Sequence, residues 1–251
     1  VLAAPVVYQA TRLVSAISVF DVDLDARPDL VVTNTGSNTV GIFRNIGGGL
    51  FGAQTIYPTD GGPHGVALGD IDGDGKLDIV TANALSDDVT RRLGTGTGFF
   101  GALAAFPVGD GPSALAADDV DVDGNVDVLV ADAMGGSVSV LLGDGLGSFG
   151  AAATFDTGNG PQGVASGDFD EDGLLDLVTA NASTNDLGLL LGDGVGGFGT
   201  DASFPLGASP QGLAVADFNG DANLDVVLAS GTSLSLVAGN GGGLFGAPAN
   251  T

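Results

Sequence analysis

Five stretches of this sequence carry aspartates at alternate positions, a spacing that can turn several carboxylates toward one point. Each stretch follows the pattern D-x-[DN]-x-D-x-x-x-D, and each begins 49 residues after the one before it. Alternate residues of an irregular loop can curl around a common centre. Oxygens from positions one, three, five and nine, with the backbone carbonyl of position seven, would then supply five or more ligands to a cation.

The predicted ligands, at positions one, three, five, seven and nine, recur in the same order in each loop. They are Asp21, Asp23, Asp25, Arg27 and Asp29; Asp70, Asp72, Asp74, Lys76 and Asp78; Asp119, Asp121, Asp123, Asn125 and Asp127; Asp168, Asp170, Asp172, Leu174 and Asp176; and Asp217, Asn219, Asp221, Asn223 and Asp225. At position seven only the backbone carbonyl is expected to bind, whatever the side chain.

An all-oxygen ligand set favours Ca²⁺, which accepts six to eight oxygens in a flexible geometry, over Mg²⁺, which requires an octahedron and retains its waters. Transition metals prefer histidine or cysteine ligands, and the chain has one histidine and no cysteine. Gly75, Gly124 and Gly173 at position six allow a sharp bend, and Ala26 and Ala222 replace them in the outer loops. The sequence therefore predicts about five Ca²⁺ ions, one per repeat, that hold the loops closed.

Two other interpretations of the loops are less favourable. An EF-hand requires a glutamate at position twelve between helices, but that position holds Val32, Thr81, Val130, Thr179 or Leu228. Aspartate-rich turns without an ion would suffer strong repulsion between like charges. The predicted ligand positions hold 19 of the 31 acidic residues, which makes that repulsion severe.

The composition narrows the class of partner. A net charge of -25 from 31 acidic and 6 basic residues excludes a nucleic-acid surface and an anionic membrane surface. No apolar run is long enough to span a membrane. The chain starts at Val1 without a signal-peptide pattern, which favours a processed form or an excerpt. Extracellular calcium would fill even weak sites, so we expect an extracellular or cell-surface location.

The segments around each loop predict four short strands per repeat. An alternating run such as 65–69 precedes the loop, a continuous apolar run such as 128–130 follows it, and a third strand, a glycine-rich turn and a fourth strand complete the unit. Four strands in a repeat of this length are typical of a β-propeller. We therefore expect a single all-β domain over residues 1–251, a propeller of five four-stranded blades with repeats centred on loops 21–29, 70–78, 119–127, 168–176 and 217–225.

The repeats resemble the FG-GAP/VCBS family, which occurs in integrin α-chain heads and many bacterial surface proteins. The resemblance covers essentially the whole chain and rests on Phe149-Gly150, Gly160-Pro161 and the run 167–178. It implies a β-propeller with Ca²⁺ between the first two strands of each blade, and an adhesive or scaffolding role outside the cell. Asn219 should weaken the fifth site slightly, and integrin heads have seven blades whereas this chain has five repeats.

The two ends of the chain provide six candidates for a fourth strand, where five blades need five. Leu2–Gln9 aligns with Phe51–Pro58, and Phe245–Thr251 begins another such strand. In one alternative, one terminus closes the ring and the other frays or pairs weakly. In a second, the surplus strand pairs with a neighbouring subunit, and a head-to-tail version of that pairing would produce filaments. In a third, a blade is missing from a shortened chain.

Catalysis finds no support in the sequence, because there is a single histidine, no cysteine, and no nucleophile or phosphate-loop motif. We therefore expect a non-enzymatic structural or adhesive protein whose partner is itself or an extracellular protein or glycan. A lectin or receptor-type module is the alternative. Arg91 and Arg92, at otherwise apolar strand positions, are expected to extend to the surface or to pair with an acid.

Overall fold

Each repeat forms one four-stranded antiparallel sheet in the computed structural model, which describes residues 6–250. Within every sheet the strands lie side by side in chain order, as a meander requires. Sheet 1 contains β1 (Val14–Phe20), β2 (Asp29–Asn34), β3 (Thr39–Phe43), a separate hairpin of β4 (Asn45–Gly47) and β5 (Leu50–Phe51), and then β6 (Thr55–Pro58).

The other four sheets repeat this order without the extra hairpin. Sheet 2 contains β7 (Pro63–Gly69), β8 (Asp78–Asn83), β9 (Asp88–Gly94) and β10 (Phe100–Pro107); sheet 3 contains β11 (Pro112–Asp118), β12 (Asp127–Asp132), β13 (Ser137–Leu141) and β14 (Ala153–Asp156); sheet 4 contains β15 (Pro161–Gly167), β16 (Asp176–Asn181), β17 (Asp186–Leu190) and β18 (Ala202–Pro205); sheet 5 contains β19 (Gly212–Ala216), β20 (Asp225–Ser230), β21 (Ser233–Val237) and β22 (Ala249–Asn250).

Helical structure in the described residues is a single 3-10 turn, Thr35–Ser37. Among residues 6–250, therefore, no helix has the length and apolar character needed to cross a membrane.

The second strand of each repeat was predicted to be buried, and the structure confirms this in full for sheets 2, 3 and 4, whereas β20 of sheet 5 has one exposed and one partly exposed residue. Every residue of β8, β12 and β16 is buried, because these strands have a neighbouring sheet on each face. A strand covered on both faces carries a continuous apolar run rather than an alternating pattern.

The sheets pack face to face in chain order, and each of the four junctions has its own apolar core. At the first junction, Val66 and Leu68 of β7 pack against Val31 and Ile42 of sheet 1. The first strand of each sheet contacts the first and second strands of the sheet before it. No repeat can bury its own apolar faces, so the fold depends on this stacking.

Aromatic pairs join the rim of each sheet to the next one. The aromatic residue of a fourth strand meets the phenylalanine of the following Phe-Gly pair edge to face, with ring centroids 5.6 Å apart in Tyr57–Phe100 and 5.0 Å apart in Phe106–Phe149. The same contact recurs in Phe155–Phe198 and Phe204–Phe245. The Phe-Gly motif therefore supplies a repeated contact between sheets.

The N-terminal segment makes the same kind of aromatic contact without forming a strand. Of the predicted strand Leu2–Gln9, residues 2–5 lie outside the described part and residues 6–9 have no strand pairing. Tyr8 nevertheless packs edge to face on Phe51 at 5.5 Å, and its hydroxyl accepts a hydrogen bond from the Phe51 amide at 3.0 Å. At the other terminus, β22 lies beside Ser235 and Leu236 as the fourth strand of sheet 5.

Arg91 and Arg92 bridge adjacent sheets. The Arg92 guanidinium donates to the Pro58 carbonyl of sheet 1 at 2.9 and 3.1 Å and lies over the Tyr57 ring, while Arg91 donates to the Gly147 carbonyl of sheet 3. Each arginine side chain thus donates hydrogen bonds to backbone oxygens of a neighbouring sheet, while its own backbone remains part of β9.

Candidate metal centre

The five aspartate loops connect the first and second strands of their sheets, and the position-one carboxylate organises each turn. In the second loop, the two oxygens of Asp70 accept the amides of Asp74 at 3.0 Å and Gly75 at 2.8 Å. The same pair of bonds to positions five and six recurs in the other four loops. The backbone is therefore wrapped around this side chain, as the alternate spacing predicted.

The position-nine carboxylate fastens the loop to its sheet. Asp78 is buried, and its two oxygens accept the amides of Ile71 at 2.8 Å and Gly94 at 2.7 Å. Ile71 belongs to the loop, whereas Gly94 lies at the end of the third strand, so one side chain joins the two. The equivalent residues, bonded in the same way, are Asp29, Asp127, Asp176 and Asp225.

Carboxylate oxygens from positions one, three and nine converge in four of the loops. In each group one oxygen from every member lies within 4.8 Å of the others; the groups are Asp21, Asp23 and Asp29; Asp70, Asp72 and Asp78; Asp119, Asp121 and Asp127; and Asp168, Asp170 and Asp176. Oxygen ligands at such spacing fit a hard cation of the Ca²⁺ type. In the first group, one Asp23 oxygen is buried with no hydrogen-bond donor among the described residues, which is consistent with a cation as its partner.

Positions five and seven have a different place in the structure. The position-five carboxylates lie outside these groups; that of Asp74 accepts the Lys76 amide at 3.0 Å and pairs with the Lys76 ammonium, and Asp25 pairs with Arg27 in the same way. Coordination by position five, and by the carbonyls of Arg27, Lys76, Asn125, Leu174 and Asn223, therefore remains a prediction from the sequence.

The fifth loop differs more from the others than its sequence suggests. Asp217, Asp221 and Asp225 form no group of three converging carboxylates. The side-chain amide of Asn219 instead donates to Asp221 at 3.0 Å and to Asp225 at 3.3 Å. An amide nitrogen thus satisfies the acids that a cation would otherwise bridge. The sequence predicted a slightly weaker cation site here. The structure shows that the hydrogen bonds of this loop also differ from those of the other four loops.

Two positions of every loop adopt left-handed backbone. Position six was predicted to bend sharply, and even Ala26 and Ala222 have positive φ there, at 65° and 76°. Position four is also left-handed, with φ of 69° at Gly73 and 61° at Val122. A β-branched residue such as Val122 is strained in this region. The five loops share no residue type at position four, which is why the left-handed conformation there could not be predicted from the sequence.

In the first four loops, the residue at position two packs against the next sheet. Val22, Ile71, Val120 and Phe169 are buried in the core of the junction that follows their sheet. The Ile71 carbonyl also accepts the Gly147 amide from the turn of sheet 3 at 3.3 Å, and Val22 and Phe169 accept equivalent bonds. An apolar residue between the first two ligand positions of every repeat was the signal available in the sequence.

Burial, with a smaller contribution from neighbouring carboxylates, raises the pKa of three position-nine acids, Asp78, Asp127 and Asp176. Burial raises the pKa of Asp127 to about 6, with a further contribution from Asp121 and Asp123, although the amides of Gly143 and Val120 oppose the shift. Burial is also the main cause of the raised pKa values of Asp78 and Asp176. A bound divalent cation would offset both effects and hold the carboxylates ionised.

The chain is thus an all-β protein of repeated four-stranded sheets, with aspartate loops of a kind consistent with calcium sites. It belongs to the FG-GAP-like repeat family: the FG-GAP-like repeat model matches residues 21–81, 119–179 and 168–228, and the FG-GAP repeat model matches residues 62–103. No curated protein matches the chain.

Solved structures similar to the chain include propeller proteins, which supports a propeller-like arrangement of the sheets. A functionally unknown protein from Desulfotomaculum acetoxidans has a TM-score of 0.72 at 13% identity, over 96% of this chain and 70% of its own. Virginiamycin B lyase from Staphylococcus aureus has 0.64 at 14%, over 93% and 68%. An Agrocybe aegerita lectin that recognises non-reducing terminal N-acetylglucosamine has 0.60 at 21%, over 94% and 65%. At these identities the likeness extends to the fold alone.

The strain at position four leads to a prediction about stability. Replacing Val122 by glycine should raise the free energy of unfolding by about 1 kcal/mol, because glycine adopts the left-handed conformation without a steric penalty. Val122 is exposed, so little apolar burial is lost. The reverse change at the matched position, Gly73→Val, should lower stability by a similar amount. Urea unfolding at fixed, saturating Ca²⁺ measures both, and a loss of stability in V122G would contradict the explanation.

The raised pKa values predict opposite pH dependences with and without calcium. In the ion-free folded chain Asp127 has a pKa of about 6, above its usual 3.8, so the folded state binds more protons than the unfolded state between these values. Its contribution to stability is therefore largest at low pH and is lost as the pH rises to about 6. Asp132 and Asp201, also raised to about 6, act in the same direction.

With saturating Ca²⁺ the dependence should reverse, because the cation binds only ionised carboxylates. The melting temperature, followed by circular dichroism from about pH 4 to 7, should fall in calcium-free buffer and rise in millimolar Ca²⁺. Asp127→Asn should flatten both slopes. A melting temperature that rises with pH in calcium-free buffer would show that these acids are ionised in the folded chain without an ion.

Proposed function

We propose that this protein is a non-enzymatic, calcium-binding module with a structural or adhesive role outside the cell. The observation that carries the proposal is the set of four converging carboxylate groups, each on a loop bonded to its own sheet. A cation there would hold the loop in one conformation. Because position two of the same loop packs into the next junction, the ion would also stabilise the contact between sheets.

The five sheets are proposed to be the blades of a propeller. Their first strands contact one another in succession, β1 with β7, β7 with β11, β11 with β15 and β15 with β19, as strands around a common axis do. The aspartate loops all follow the first strand, so they lie at one end of that axis. A rigid array of this kind offers a broad surface for a protein partner.

An extracellular location is supported by the chemistry of the sites. Extracellular modules bind calcium at 10⁻⁴ to 10⁻³ M, which is sufficient where the free ion is millimolar. Acidic loops that need a cation to offset their charge would be poorly stabilised where calcium is scarce. Six basic residues also leave few cleavage sites for trypsin-like proteases.

The alternative is a module that binds a glycan or a protein on one face of the array. The lectin likeness supports the suitability of the fold and nothing finer. The two tyrosines, which could stack on a sugar, are each packed against phenylalanine, and their hydroxyls accept backbone amides. Binding on a glycan array at low micromolar strength would favour this alternative over a scaffold.

Calcium stoichiometry tests the metal sites directly. Calorimetric titration should resolve four stronger sites and a weaker fifth, since the Asn219 amide has to turn away from Asp221 and Asp225 before that loop binds. Asn219→Asp should add a fifth strong site, and Asp121→Asn should remove one. At a calcium concentration 100 times the dissociation constant, each site should add about 2.7 kcal/mol to the free energy of unfolding. Five equivalent sites in the native chain would contradict this account of the fifth loop.

Assembly through the surplus N-terminal strand remains a prediction from the sequence, and residues 6–9 of that segment have no strand partner within the chain. Electron microscopy in millimolar Ca²⁺ should show assemblies that dissolve on chelation and that are absent when residues 1–9 are deleted. The matched control, Tyr8→Phe, keeps the ring contact and should still assemble. Single small particles in Ca²⁺ would reject strand exchange and direct the search to protein partners and glycans.

A further inference from the structure

Sheet 4 contains two buried oxygen atoms that accept no hydrogen bond from the described residues. They are Oδ1 of Asn181 and Oδ1 of Asp201. Asn181 is fully buried at the end of β16, and Asp201 immediately precedes β18. A buried acceptor without a donor costs free energy, so two of them in one sheet require a physical explanation.

The strand pattern places this polar region between sheets 3 and 4. Leu177, Thr179 and Asn181 are alternate residues of β16 and therefore point to the same side of the sheet. Leu177 belongs to the apolar core between sheets 3 and 4, so the other two residues also face sheet 3. The polar region thus continues the apolar core toward the end of the sheets opposite the aspartate loops.

Gly188 of β17, which pairs with Thr179, leaves a hollow on this face. A β-carbon added there would lie 2.5 Å from Asp201 Oδ1, 2.6 Å from Thr179 Oγ1 and 2.7 Å from Thr157 Oγ1. The two hydroxyl oxygens are 2.7 Å apart and hydrogen-bond each other. Three oxygens from three separate segments of the chain therefore surround one point, here called the Gly188 hollow.

The buried oxygen of Asn181 is directed toward the same hollow. In sheet 2 the equivalent residue, Asn83, donates through Nδ2 to the acid paired with it at 2.8 Å, and its Oδ1 accepts the Thr81 hydroxyl at 3.3 Å. Asn181 makes the same amide bond at 2.9 Å, which leaves its Oδ1 on the side of Thr179. Thr179 bonds to Thr157 instead, so the Asn181 oxygen receives no donor.

The first three sheets each place a hydrogen-bond donor at the corresponding point. In sheet 1, where Gly41 holds the glycine position, the Gln54 amide occupies the hollow and donates to Asn34 Oδ1 at 3.4 Å. Thr90 and Ser139 hold the glycine position in sheets 2 and 3, and their hydroxyls form hydrogen bonds with the second strand. The polar region is therefore satisfied by protein donors in these sheets.

Sheet 4 has an acceptor where sheet 1 has a donor. Asp201 holds the repeat position of Gln54, and an ionised carboxylate has no proton to donate. Residues 93–251 include no lysine or arginine, so no basic side chain of sheets 3, 4 or 5 offsets the charge of Asp201 or of Asp186 on the same face. Buried charges in proteins are paired or bind metal ions, which indicates a cation here.

We propose that a monovalent cation of the Na⁺ type binds in the Gly188 hollow. Its ligands are Asp201 Oδ1, the hydroxyl oxygens of Thr157 and Thr179, and Asn181 Oδ1. One carboxylate with three uncharged oxygens matches the charge of Na⁺, whereas the aspartate loops bring several carboxylates together and suit Ca²⁺. This inference goes beyond the proposed function, which concerns those loops.

The site has a path to solvent and a structural consequence. Thr157 and Asp201 line a groove of about 460 Å³ between the rims of sheets 3 and 4. The net charge of -25 raises the concentration of cations near the surface. Because Thr157 lies in the connection that follows sheet 3, the bound ion links that connection to β16 and to the start of β18, and so stabilises the junction.

The dependence of stability on the identity of the salt tests the site. The full chain is melted in saturating Ca²⁺ with the chloride of either Na⁺ or tetramethylammonium, which is too large for the hollow, at about 0.15 M. If the dissociation constant for Na⁺ is about a tenth of that concentration, the melting temperature should be about 3 °C higher in Na⁺.

Matched substitutions assign this difference to the hollow. Asp201→Gln reproduces the amide of Gln54 and should abolish the difference between the two salts. Asp156→Asn removes one charge from an exposed residue of the same groove and should retain it. Loss of the difference in both variants would show a general effect of charge and would overturn the proposal.

A crystal structure of the full chain grown with Rb⁺ in place of Na⁺ locates the ion. We expect an anomalous peak at ligand distance from Asp201 Oδ1 and Thr179 Oγ1, and no such peak in Asp201→Gln. Equal melting temperatures in the two salts, or a hollow that contains only water, would overturn the proposal, because water or a proton then satisfies the acceptors.

Calcium titration keeps this test separate from the proposed function. Asp201→Gln should leave the number of bound Ca²⁺ ions unchanged, since Asp201 is in none of the aspartate loops. A count that falls by one would mean that Ca²⁺ fills the hollow, and it would refute the assignment to a monovalent ion. The loops can bind calcium whether or not the hollow binds Na⁺, so either proposal can fail alone.

Discussion

A four-stranded sheet with apolar side chains on both faces is unstable in water by itself, and each sheet of this protein depends on a neighbour to bury them. The four interior junctions each contain a separate apolar cluster. Stability in such an array is roughly the sum of the repeats and their junctions, so loss of one junction weakens two sheets. The aspartate loops, the aromatic pairs and the bridging arginines all act at these junctions.

The aspartate loops connect the packing between sheets to the binding of a cation. Position nine, buried beneath the loop, bonds to the loop and to the end of the third strand through its two oxygens. Position two packs into the following junction, while positions one and three face the centre. A cation at that centre would act on the loop, its sheet and the next sheet together. The same burial that positions Asp127 also raises its pKa, so the ion-free state contains carboxyls that are difficult to ionise.

The repeat explains why so much could be predicted. The spacing of the aspartates identifies the loops, and the alternating and continuous apolar runs on either side identify the first two strands. Side-chain spacing determines which carboxylates face one point, and the structure brings positions one, three and nine together in four loops; their coordination of a cation stays a prediction. Position five could not be placed in this way: its carboxylate turns to the backbone and to the Lys76 or Arg27 side chain, a choice that depends on loop conformation. The strain at Val122 and the role of position two depend on a neighbouring turn and a neighbouring sheet, neither of which is local in sequence.

The unusual fifth loop lies in the last sheet, but its own residues account for its difference better than its position does. In the first, second and fourth loops, a glycine amide from the next sheet holds the carbonyl of position two. The equivalent residue of the fifth loop, Phe218, has no following sheet among the described residues and is half exposed. The third loop forms no such bond among the described residues, yet Asp119, Asp121 and Asp127 still converge, so this outer contact is not required to assemble the acids. In the fifth loop it is the Asn219 amide that donates to Asp221 and Asp225. The quality of a metal site in this fold therefore depends first on the loop's own ligand residues, and a single amide in place of a carboxylate is enough to change it.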